Sequence, residues 1–147
     1  MKRATIFILL AAISVLAAGP QISSFYEPDL DDWVLFAVDE EGGLHRRYGG
    51  DFSKLAQVPG SGPYDVSAFY EPDIDEWMVF TVNGLGEVQL YDGEFIQWAD
   101  LTDGIAPYSI SAFYDAVLDD WIIYIMDGYG ELYLIDSDGT TSVGVLP

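Results

Sequence analysis

The sequence of 147 residues contains no cysteine, so no disulfide braces it and no thiol is available as nucleophile or metal ligand. Basic residues are almost as scarce. Five Lys and Arg stand against 25 Asp and Glu, for a formal net charge of −20. Lys2 and Arg3 lie at the very start, which leaves Arg46, Arg47 and Lys54 to oppose every acid. Such a field repels nucleic acid and anionic lipid surfaces and favours divalent cations and basic partners. A single histidine, no Gly-x-Ser-x-Gly elbow and no phosphate-binding loop leave little for catalysis, and a non-catalytic protein is expected. Sustained helical periodicity is missing too. Disorder is excluded by what is abundant: half the residues are hydrophobic and 15% aromatic, far from the composition of acidic disordered chains.

The start of the chain reads as a leader. Lys2-Arg3 precede an apolar run over 4–16, and Ala17-Ala18-Gly19 supply small residues for cleavage. The run is shorter than the roughly 20 residues a spanning helix needs. Residues 1–19 are therefore expected to be a signal peptide and 20–147 the folded domain. The localisation that follows is secreted or periplasmic, with no membrane span after cleavage. Without disulfides, that domain must rest on core burial.

One phrase is written three times at a spacing of 44 residues. Ile22-Ser-Ser-Phe-Tyr-Glu-Pro-Asp-Leu-Asp-Asp-Trp33 returns as Val66-Ser-Ala-Phe-Tyr-Glu-Pro-Asp-Ile-Asp-Glu-Trp77 and as Ile110-Ser-Ala-Phe-Tyr-Asp-Ala-Val-Leu-Asp-Asp-Trp121. A strict period of this size marks a repeat architecture. The copies are 22–65, 66–109 and 110–147, the third lacking only the stretch that corresponds to the crossover.

Within the second copy, residues 66–70 read as a strand, Glu71-Pro72-Asp73-Ile74-Asp75-Glu76 as a turn, and 77–82 as a second strand. Asn83-Gly84-Leu85-Gly86 is a hairpin turn, 87–91 alternates as a half-buried strand does, Asp92-Gly93 is a tight turn, and 95–101 closes the unit. Four short strands per copy make the class all-β. The second strands, at 33–38, 77–82 and 121–126, barely alternate, which suits a strand buried on both faces.

These units resemble β-propeller blades of the TolB-like kind. Phe69-Tyr-Glu-Pro-Asp73 with Trp77-Met-Val-Phe80 carries the first half of the likeness, and Gly130-Glu-Leu-Tyr-Leu-Ile-Asp-Ser-Asp-Gly139 the second. The turn at 72–76 is longer than the family's and lacks its glycine. Propellers close with about four to eight blades, so three imply a partner, and two chains would make a six-bladed ring. A β-trefoil or β-prism, each closed by three similar units in one chain, is the alternative.

Several residue sets are candidates for function. Asp29, Asp31 and Asp32, then Asp73, Asp75 and Glu76, then Asp119 and Asp120, gather carboxylates on turns. Calcium is the cofactor they would suit, and a solvated acidic turn is the plainer reading. Asp136-Ser-Asp-Gly139 divides the same way between calcium loop and β-turn. Tyr64 and Tyr108 follow Pro63 and Pro107 in crossover loops, where exposed aromatics bind ligands, glycans included. His45, Arg46 and Arg47 stand where the third copy has Tyr133-Leu134-Ile135. They fit either a charged edge strand or a contact with an acidic neighbouring chain. The function expected is an exported interaction or scaffold protein that self-associates or docks on another exported protein. A lectin with repeated sites, with or without calcium, is the alternative.

Overall fold

A computed structural model describes residues 19–101 and 103–146. The leader expected over 1–19 therefore lies almost wholly outside the described residues. Among the described residues, twelve strands follow one another with no helix. The first copy contains β1 (Gln21–Glu27), β2 (Asp32–Val38), β3 (Gly43–Tyr48) and β4 (Asp51–Gln57). The second contains β5 (Asp65–Glu71), β6 (Glu76–Val82), β7 (Glu87–Asp92) and β8 (Glu94–Asp100). The third contains β9 (Ser109–Asp115), β10 (Asp120–Met126), β11 (Glu131–Asp136) and β12 (Gly139–Val145). Each copy is one antiparallel four-stranded sheet with strands in sequence order. The third strand of every sheet carries a register shift at the same place, Leu44/His45, Val88/Gln89 and Leu132/Tyr133.

The turn between the first two strands of each sheet puts an aspartate in the left-handed region: Asp31, Asp75 and Asp119 have φ of 50°, 57° and 56°. Aspartate tolerates that region better than most residues. The next turn is tied by Asp39, Asn83 and Asp127. Their side-chain oxygens accept the N–H of Gly43 at 2.6 Å, of Glu87 at 3.1 Å and of Glu131 at 2.9 Å.

The sheets stack like blades, β1 against β5 and β5 against β9. The core is accordingly two slabs, one per gap. Val34, Phe36, Leu44, Val66 and Val79 fill the gap between the first and second sheets. Phe69, Phe80, Leu90, Ile110 and Ile123 fill the gap between the second and third. The second sheet faces both gaps, so β6 is buried from Met78 to Val82 without alternation. A closed three-fold monomer of the trefoil or prism kind is not what forms. β1 and β9 do not pack on each other as each packs on β5, and their outer faces meet solvent.

Crossovers bind the sheets at the rim. Gly84 donates its N–H to the carbonyl of Ser61 at 2.6 Å, and Gly128 to that of Ile105 at 2.6 Å. The approach requires glycine: a Cβ on Gly84 would lie 2.2 Å from the Gly62 oxygen, and one on Gly128 2.6 Å from that of Ala106. No described helix is long and apolar enough to cross a membrane.

Candidate interaction surface

The joints between sheets are built from side chains that reach one copy ahead. The free edge of β5 is met by Ser23 of β1, whose Oγ accepts the Ala68 N–H at 2.9 Å. Ser67 on β5 repeats the contact with the Ala112 N–H of β9 at 2.8 Å. Each hydroxyl stands in for a missing strand and satisfies a backbone donor at an unpaired edge. Asp65 reinforces the second joint, its Oδ2 accepting the Ile110 N–H at 2.9 Å. Burial pushes its carboxyl up from the usual range, against the bonds from Ile110 and Val66 that favour the charged form.

Outside the serines lies a carboxylate–indole pair. Glu27 accepts the Trp77 Nε1–H at 2.6 Å and Glu71 that of Trp121 at 2.7 Å. Both glutamates are only 2% exposed. Their other oxygens accept the N–H groups of Asp29 and Asp73, which fixes the following turn. These glutamates were not singled out from the sequence as a site, although they recur at the same place in the phrase as the tryptophans do.

The acidic turns hold tyrosines. Tyr70 donates to Asp75 at 2.8 Å and Tyr114 to Asp119 at 2.7 Å; Tyr26 donates likewise to Asp31, and Tyr114 also reaches Asp73 of the preceding copy. The bond to Asp75 pushes the Tyr70 phenol up to about 12, and the bonds to Asp73 and Asp119 push Tyr114 up further. Asp120 accepts from Ser137, which lowers its carboxyl, and Asp32 accepts from the backbone of Trp33. Asp29 remains exposed on its turn, and Glu76 is exposed at the start of β6. Among the described residues, no three acidic or histidine side chains converge as a metal site requires. Asp136 accepts the N–H of Asp138 within a β-turn.

The other expected residues are dispersed. Tyr108 is 6% exposed, not the solvent-facing loop aromatic expected of it. It fills the space over Gly86 and Gly104, whose lack of side chains admits the ring. Tyr64 is half-buried and covers Gly42 in the same way. His45, Arg46 and Arg47 lie on β3, which pairs with both β2 and β4, so the edge-strand reading is corrected. His45 Nε2 lies 2.7 Å from Asp39 Oδ2, and this bond holds the Asp39 carboxyl below its usual range. Arg46 sits over the Trp77 ring at 5.4 Å in a cation–π contact within the chain. Arg47 is exposed and donates to the Gly50 carbonyl at 3.3 Å.

A groove of about 440 Å³ opens beside Trp98 and Trp121, with Asp120, Asp136, Ser137 and Thr140 around it. The two indoles lie 5.6 Å apart.

No family model matches the chain, and no curated protein and no solved structure matches it.

Proposed function

We propose that this protein is an exported, non-catalytic scaffold that works by binding protein, its own copies first. The observation that carries this reading is the pair of outer faces on β1 and β9. Inside the molecule, equivalent faces are covered by a neighbouring sheet. Outside, apolar side chains such as Ile22, at 67% exposure, stand in water. The resemblance to propeller blades supports the same reading, because three blades call for more blades. The acidic surface adds solubility, and the buried carboxylates are engaged with tryptophans and turns and not free to act as acid or base. Light scattering over a range of concentrations tests the proposal: a mass of at least two chains is expected, and a monomer at every concentration, with no protein partner retained, overturns it.

A second reading rests on the groove at Trp98 and Trp121, where indole faces beside acidic and hydroxyl groups suit a sugar ring. The first copy has Leu55 at the register position where Trp98 stands, so this would be a single glycan site. Binding on a glycan array, lost in Trp98→Ala, tests it.

A further inference from the structure

We infer that a second copy of this chain docks head to tail, the outer face of β1 and β2 in one chain covering the outer face of β9 in the other. This deepens the self-association proposed above and rests on it.

The two faces carry the two halves of the joint already seen twice inside the molecule. On the leading side of each joint stand a serine, a phenylalanine and an acid: Ser23, Phe25 and Glu27, then Ser67, Phe69 and Glu71. Their counterparts on β9 are Ser111, Phe113 and Asp115. Phe69 is 8% exposed inside its joint, whereas Phe113 is 40% exposed. Asp115 uses Oδ1 for the N–H groups of Val117 and Leu118, as Glu71 uses one oxygen for Asp73. No hydrogen bond joins its second oxygen to a described residue, and that is the oxygen which in Glu27 and Glu71 takes the indole.

On the following side stand an aliphatic residue, a small residue and a tryptophan: Val66, Ala68 and Trp77, then Ile110, Ala112 and Trp121. Their counterparts at the head are Ile22, Ser24 and Trp33. Val66 and Ile110 are 3% and 8% exposed, and Ile22 is 67%. Trp33 is 61% exposed, with no acceptor for its Nε1–H among the described residues. Bringing head to tail therefore supplies Ser111 to the backbone of Ser24, Asp115 to Trp33, and Phe113 to the apolar side chains of β1. One contact changes: Val117 replaces the acid that receives Tyr114 in the preceding joint, so Tyr26 meets an apolar side chain there.

Glu40 indicates why the neighbour is a separate chain. It occupies the position of Gly84 and Gly128, the two places where an arriving crossover comes too close for a Cβ. A crossover of that build would collide with the Glu40 side chain, so a sheet covering the head arrives without one. The contact is heterologous and repeats until it closes. Two chains give six blades, within the range that closes.

The experiment uses full-length protein with a head variant, Ile22→Arg/Trp33→Arg, and a tail variant, Ser111→Arg/Phe113→Arg, all at exposed positions. Circular dichroism checks that each stays folded. Each variant alone is expected to fall to half the wild-type mass. An equimolar mixture is expected to regain a two-chain mass through the one intact joint, since each variant keeps the half the other has lost. A wild-type dimer unaffected by both variants, or a mixture that stays monomeric, overturns head-to-tail docking while leaving self-association standing. A monomeric wild type overturns both. As a check independent of the arginines, Ser24→Cys/Ser111→Cys in this cysteine-free chain is expected to give covalent dimers on oxidation. Exclusive monomer after oxidation counts against the geometry.

Discussion

The indole N–H of Trp121 donates to the carboxylate of Glu71 across the gap between the second and third sheets, at 2.7 Å and 50 residues apart in sequence. The same acid also accepts the backbone N–H of Asp73 at 3.1 Å. One side chain thus joins two sheets and shapes a turn.

Glu71→Ala leaves both donors without their acceptor. A buried donor left unpaired costs about 1–3 kcal/mol. The variant is expected to unfold at lower urea with the slope of the transition unchanged, while Glu94→Ala, at the exposed start of β8, stays within about 0.5 kcal/mol of the parent. Equal effects for the two would deny the joint its role.

Gly84→Ala places a Cβ against the Gly62 carbonyl, and backbone on the other side cannot swing away as a side chain can. Overpacking of this kind costs about 1–3 kcal/mol. Glu40→Ala, at the same register in the first copy, should shift the thermal midpoint little. The contrast between the two, read by calorimetry, measures the crossover contact itself.

Tyr70 gives a pH dependence with a defined sign. Its phenol is raised from 10.0 to about 12, chiefly by donating to Asp75. A group whose pKa is raised on folding stabilises while protonated. Its contribution is therefore full below pH 10 and is lost as pH rises through about 12. In Asp75→Asn the Tyr70 phenolate should appear nearer the ordinary value, in an absorbance titration referenced to Tyr70→Phe.

Thr81 is wholly buried, and its hydroxyl has no partner among the described residues. The third copy has Ile125 at this place. Thr81→Val removes an unsatisfied polar atom at nearly constant volume, so stability should hold or rise by up to about 1–3 kcal/mol. A clear loss would mean that the hydroxyl is bonded in solution.

The repeat, the four strands of each copy and the all-β class could be read from Ile22, Val66 and Ile110 onward, because turn chemistry and strand patterning are local. The lack of alternation in β6 could be read as well, since burial on two faces leaves only Thr81 polar between Met78 and Val82. What escaped was whatever depends on the neighbour. Glu27 and Glu71 look like turn acids until their tryptophans arrive from the next copy. Tyr108 looks exposed beside Pro107 until Gly86 is found beneath it. Arg46 reads as an edge charge until β3 is found paired on both sides within its own copy and the Trp77 ring of the next copy is found beneath it.

Serine-to-backbone bonds between sheets always span 45 residues, and glutamate-to-indole bonds always span 50. A whole unit added or removed in the middle would keep every such span, so the array can grow or shrink in steps without any joint being redesigned. A gain of one or three residues within a strand would turn those partners away from each other, and the copies are thereby held in phase.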